Sequence, residues 1–108
     1  MRDQAHDDVM AEVFREDPAY AIQLLNSILE DGDQGELLTA LRQMTKAFGG
    51  VSQVAEKAQL NGTHIYRSLS ATGNPELRSL SAVLKAMGLR LAIQPIQPIQ
   101  PVPAEAHA

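Results

Sequence analysis

Apolar residues recur at helical spacing along most of the chain, and residues that start or stop helices bracket each stretch. The pattern is most informative between Gly49 and Leu69. Val51, Val54, Ala55 and Ala58 form an i, i+3, i+4, i+7 stripe, Leu60 falls in a turn, and Ile65 and Leu69 supply a second stripe. Two short helices joined by a tight turn read as a helix-turn-helix at about residues 50–70, with the small Ala55 where the pair must approach closely. Asn61, Gly62, Thr63, His64, Tyr66 and Arg67 then point outward. In such a motif the start of the second helix enters the DNA major groove. A helical hairpin in any bundle has the same periodicity, so the pattern alone leaves both readings open. Gln59 stands at the turn position that Gly often fills because it accepts a left-handed backbone.

The same reading extends to both ends. A first helix is expected over residues 5–16, burying Val9, Met10, Val13 and Phe14. Asp17-Pro18 reads as an N-cap followed by proline at the first helical position. The helix that follows carries Ile22, Leu25 and Ile28 or Leu29 inward, and Asp31-Gly32 ends it. Leu37, Leu41, Met44 and Phe48 define a third, stopped by Gly49-Gly50. After a loop, Asn74-Pro75 is expected to start a last helix that buries Leu77, Leu80, Val83, Leu84 and Met87 and stops at Gly88. Leu89 to Ile93 alternates like a half-buried strand. No other segment reads as a strand, so this one is expected to pair with a second copy, making Leu89, Leu91 and Ile93 the candidate dimerisation residues. The expected fold is mainly all-α, five to six helices with one short C-terminal β-strand. Residues 1–16 form an acidic helix, 17–93 the helix-turn-helix domain, and 94–108 a flexible tail whose QPIQPIQPVP repeat favours extended polyproline II.

Charge sharpens this picture. The net charge of −4 over 108 residues looks wrong for a nucleic-acid binder, but it is unevenly spread. Residues 1–36 hold ten acids against Arg2 and Arg15, whereas residues 37–94 hold seven bases against Glu56 and Glu76. The basic part coincides with the helix-turn-helix, where phosphates need neutralising. Thr63 and Arg67, then His64, Tyr66 and Asn61, are the candidate base contacts. Ser52 and Gln53, in the first turn of the motif's first helix, together with Lys46 and Lys57, are the candidate phosphate contacts. The acidic third is either a solvated face or a docking face for a basic partner, with Asp7, Asp8 and Glu12 as its test residues.

Other chemistry finds no support in the chain. Cysteine is absent, which fits a reducing cytoplasm and leaves no disulfide or thiolate site. His6, His64 and His107 lie far apart without metal-ligand spacing, so neither a metal nor another cofactor is expected. Gly49-Gly50 lacks the Lys-Ser/Thr of a phosphate-binding loop, and no catalytic constellation is present, so no enzyme is expected. No apolar run approaches the roughly 18–20 residues that span a bilayer, and the N-terminus has no apolar signal core.

Several runs, in their order, resemble the addiction-module antidote family of small Xre-type, lambda-repressor-like antitoxins, similar in role to HigA. They are LEDGD at Leu29–Asp33, the helix-turn-helix, Tyr66-Arg67-Ser68-Leu69-Ser70, Gly73-Asn74-Pro75, and LKAMGLRLAI at Leu84–Ile93. The resemblance implies a homodimer that binds double-stranded operator DNA, represses its own promoter and neutralises a small ribonuclease-like toxin. The chain departs from the family pattern at Gln59 and at Asn61-Gly62-Thr63. A stand-alone Xre-type regulator and a helical adaptor without DNA contacts are the alternatives.

Overall fold

The computed structural model describes residues 2–70 and 73–96, with side chains from residue 5, and the remainder of the proline-rich tail lies outside the described residues. Six helices follow in order: α1 (Arg2–Glu16), α2 (Pro18–Asp31), α3 (Gln34–Ala47), α4 (Gly50–Ala58), α5 (Gly62–Ser68) and α6 (Leu77–Ala86). Local chemistry sets the first boundaries. The Asp17 carboxylate accepts the Tyr20 amide at 3.1 Å with Pro18 at the first helical position, so α2 starts as its sequence predicts. Asp33 does the same for α3, accepting the Glu36 amide at 2.8 Å.

The third helix is the hub. Leu38, Leu41 and Met44 are inaccessible to solvent, and Thr45, equally buried, donates its hydroxyl to the Leu41 carbonyl at 2.8 Å. Helix α1 lies along α3 with α2 beside it, while α4 leads out of α3 and packs against α5 and α6. Phe14 from α1, Val54 from α4 and Leu69 at the end of α5 complete the core. Each such side chain contributes about 1.5–3 kcal/mol by leaving water.

Several expectations need correction. On α1 the buried stripe is Asp7, Ala11 and Phe14, with Met10 half-buried, whereas Val9 and Val13 face outward. The small Ala11 lets α1 approach α3, and Asp7 finds cationic partners there. On α2, Ala21 and Leu25 are buried while Ile22 and Leu29 are exposed. Leu38 is more deeply buried than the expected Leu37 and Phe48. The last helix starts two residues later than Asn74-Pro75 suggests: Glu76 is its N-cap, without a side-chain cap bond, and Leu77 is exposed. Pro75 instead lines a small crevice with Leu80, Ile65 and Leu69, the staple-like contact that fixes how a chain enters a helix.

The C-terminal strand is absent among the described residues. Gly88, at φ +81°, reverses the chain so that its amide donates to the Lys85 carbonyl at 2.9 Å and the Leu89 amide to Leu84 at 2.8 Å. This is the Schellman closure of α6, and it turns the Leu89 side chain back onto the core. The first apolar position of the alternation therefore belongs to the helix stop, and among the described residues no strand is present to pair with the rest. Leu91 and Ile93 stand exposed beyond it.

Candidate nucleic-acid interface

The outward face of α5 depends on how α4 ends. Gln59 adopts φ 58° and ψ 42°, and among the described residues it is the one non-glycine with positive φ. Its amide donates to the Glu56 carbonyl at 3.2 Å and the Leu60 amide to Ala55 at 2.9 Å. Gln59 thus makes the closure that glycine usually makes, bearing the Cβ strain of the left-handed region. Two residues later Asn61 caps α5, its amide oxygen accepting the His64 N–H at 3.0 Å. A Cβ added to Gly62 would lie 3.8 Å from that of Ala55, which places the close approach of the two helices where Ala55 predicts it.

Seated in this way, α5 buries Ile65, with Leu69 buried at its end, and leaves Asn61, Thr63, His64, Tyr66 and Arg67 exposed. Tyr66 is 58% exposed, far more than an aromatic needs if it serves only a core. Thr63, His64, Tyr66 and Arg67 are brought together on one short helix. Asn61 belongs to the same surface, but its carbonyl oxygen is committed to the cap. Ser52 and Gln53 are exposed near the start of α4, and Lys57 is exposed in its last turn.

Lys46 does not join them. Its ammonium donates to Asp8 at 2.9 Å, tying α3 to α1. The three acidic test residues are likewise engaged within the fold. Glu12 pairs with Arg15. Asp7 is buried and accepts Nε and Nη2 of Arg42 at 2.7 and 3.2 Å and the Gln43 amide at 3.1 Å. Burial by itself would raise the Asp7 pKa. The hydrogen bonds from Arg42 and Gln43, with the charges of Arg42 and Lys46, outweigh it and hold the carboxyl below its ordinary range. Part of the charge asymmetry therefore cancels across the α1–α3 contact, and Asp7 is a structural residue.

Arg42, Gln43 and Arg15 were not singled out by the sequence. Arg42 reaches further, donating Nη1 to the Leu69 carbonyl at 3.3 Å, so one guanidinium joins α1 to the end of α5. Arg15 donates to the carbonyls of Ala47 and Lys46 at 3.1 and 3.2 Å, satisfying the open end of α3. One signal was available: Asp7 falls in step with Ala11 and Phe14, and an acid on a buried stripe demands a cation.

The molecule is therefore an all-α protein whose α4–α5 pair offers an exposed polar and aromatic face, and among the described residues no helix is long and apolar enough to cross a membrane. It belongs to the probable addiction module antidote protein family, whose pattern matches residues 6–95. It is 36% identical over 74 residues to an uncharacterized protein of Haemophilus influenzae, covering 68% of this chain and 75% of that relative. No solved structure matches the chain. The addiction-module antidote family expected from LEDGD through LKAMGLRLAI is borne out at that level.

Proposed function

We propose that the protein is the antitoxin of a toxin–antitoxin module and a non-enzymatic repressor of its own promoter in the cytoplasm, binding operator DNA through α5. The observation that carries the DNA reading is the division of α5. Its apolar positions, Ile65 and Leu69, are used up in the core, and Thr63, His64, Tyr66 and Arg67 are left outward on the element that a helix-turn-helix presents to the major groove. Arg67 suits guanine O6 and N7, Thr63 and His64 suit neighbouring base edges, and Ser52, Gln53 and Lys57 suit phosphates. Family membership supports a toxin as the second partner, and a small ribonuclease-like toxin is the resemblance's version of it.

Two-fold operators ask for two copies. The exposed Leu91 and Ile93 beyond α6 are the apolar positions that a second copy would cover, while Leu89 serves its own core. The DNA reading is tested by titrating DNA from upstream of the gene against random duplex. Arg67→Ala should weaken the upstream DNA by about 1–3 kcal/mol more than the random one. Equal loss on both would remove Arg67 from base recognition, and no preference in the parent protein would remove the repressor reading.

A further inference from the structure

Helices α1 and α2 meet at Asp17-Pro18, and each rests on α3. An open groove of about 430 Å³ remains between them. Met10 forms one wall, Leu24 and Ile28 the other, and Thr39 and Ala40 the floor. The apolar wall residues are half-buried, covered by nothing else in the described chain. Leu24 and Ile28 are one helical turn apart, the spacing that receives the i, i+3/i+4, i+7 anchors of a docked helix.

Charge says what kind of helix fits. Glu36 lines the groove, with His6 on the α1 side, and Glu30, Asp31 and the cap residue Asp33 stand exposed around the α2–α3 connection next to it. Cations that could balance them are used elsewhere: Arg15 on the end of α3, Lys46 on Asp8, and Arg42 on Asp7 and Leu69. An approaching segment meets an apolar trough with an acidic rim. We infer that the groove between α1, α2 and α3 is a docking site for a basic amphipathic helix of a partner protein. That the partner is the toxin rests on the antitoxin reading, but the chemistry of the groove does not.

The test uses the full chain, isotope-labelled, titrated with a synthetic helical peptide that carries Leu at i, i+3 and i+7 and Lys or Arg elsewhere. A scrambled peptide of the same composition and a version with Glu for each base serve as comparisons. The amphipathic basic peptide should bind at least about tenfold more tightly than either, with NMR shifts centred on Met10, Leu24, Ile28 and Thr39. Thr39→Trp, which fills the trough, and Glu36→Lys, which reverses the rim, should each weaken it by about fivefold or more with the melting temperature unchanged. If Thr39→Trp fails to fold, Glu36→Lys decides. Absence of binding, equal binding of the scrambled peptide, or shifts centred on α4 and α5 would overturn the assignment. Groove binding by a protein that ignores its upstream DNA would sink the repressor reading alone, and the converse result would sink only the groove.

Discussion

Asp7 and Arg42, 35 positions apart in sequence, meet with Nε 2.7 Å from Oδ2, their side chains 7% and 15% exposed. This pair is the buried member of a set of polar links between α1 and α3 that also includes Lys46 with Asp8 and Arg15 with the end of α3. Arg42 also holds the Leu69 carbonyl, so the pair sits between the N-terminal helix and the end of α5. A buried pair of this kind adds little over a well-packed apolar pair, but losing one partner strands the other charge.

Asp7→Ala should therefore cost about 3 kcal/mol or more in a urea titration. Asp8→Ala breaks a pair whose carboxylate side is 64% exposed and should cost less than about 1 kcal/mol. Similar losses at the two positions would show that Asp7 is not the buried partner described.

Stability should also fall with acid in a way traceable to Asp7. Its native pKa is lowered, so its contribution is fully present above the unfolded-state value of about 3.9 and is lost as pH falls below that toward the native value. Unfolding curves across this range should be less pH-dependent in Asp7→Asn than in the parent. An unchanged dependence would assign the acid sensitivity to other carboxylates.

Gln59→Gly should stabilise the protein. Relief of the left-handed strain outweighs the backbone entropy of glycine by about 0.5–1 kcal/mol, equivalent to about 3–6 °C in melting temperature. Gln59→Ala keeps a Cβ in the same conformation and should give no such gain, so thermal melts of both variants check the assignment.

Gly73→Ala should destabilise by about 1–3 kcal/mol, because its new Cβ would collide with the Ser68 carbonyl oxygen. That contact is with backbone, which cannot turn aside as a flexible side chain can. A neutral result in denaturant would mean that the segment entering α6 has another path.

Lys57 and Lys46 should separate in DNA binding. Lys57→Ala should lower the slope of log affinity against log salt by about one. Lys46→Ala should leave the slope unchanged, because that ammonium is held by Asp8. A slope that drops for Lys46→Ala would place α3 against the phosphates.

The helices were legible because their punctuation is local. Asp17-Pro18, Gly49-Gly50 and Gly88 act within one turn of themselves, and Val54, Ala55, Ile65 and Leu69 repeat with the helical period. Asn61 was legible as a surface residue but not as the cap it is, since one exposed amide can serve either role. The true stripe of α1 was harder to see because Asp7 counts as polar in a simple periodicity, and although it falls in step with Ala11 and Phe14, its partner Arg42 is 35 positions away. Leu89 to Ile93 alternates correctly for a strand, but the Schellman closure that captures Leu89 depends on the core beneath it.

The chain allows itself a single residue, Asp17, to pass from α1 to α2. That residue is bound on both sides: its amide donates to Val13 at 3.0 Å, its carboxylate accepts from Tyr20, and Pro18 follows with φ fixed by its ring. So short a joint has no slack, and it works like the pivot of a pair of jaws whose opening is set at the pin. Asp17 and Pro18 line no part of the groove, yet the joint they form fixes where its two walls converge. Lengthening the joint by one glycine would let the jaws rotate without altering any residue that a partner touches, so fit could be tuned apart from contact chemistry.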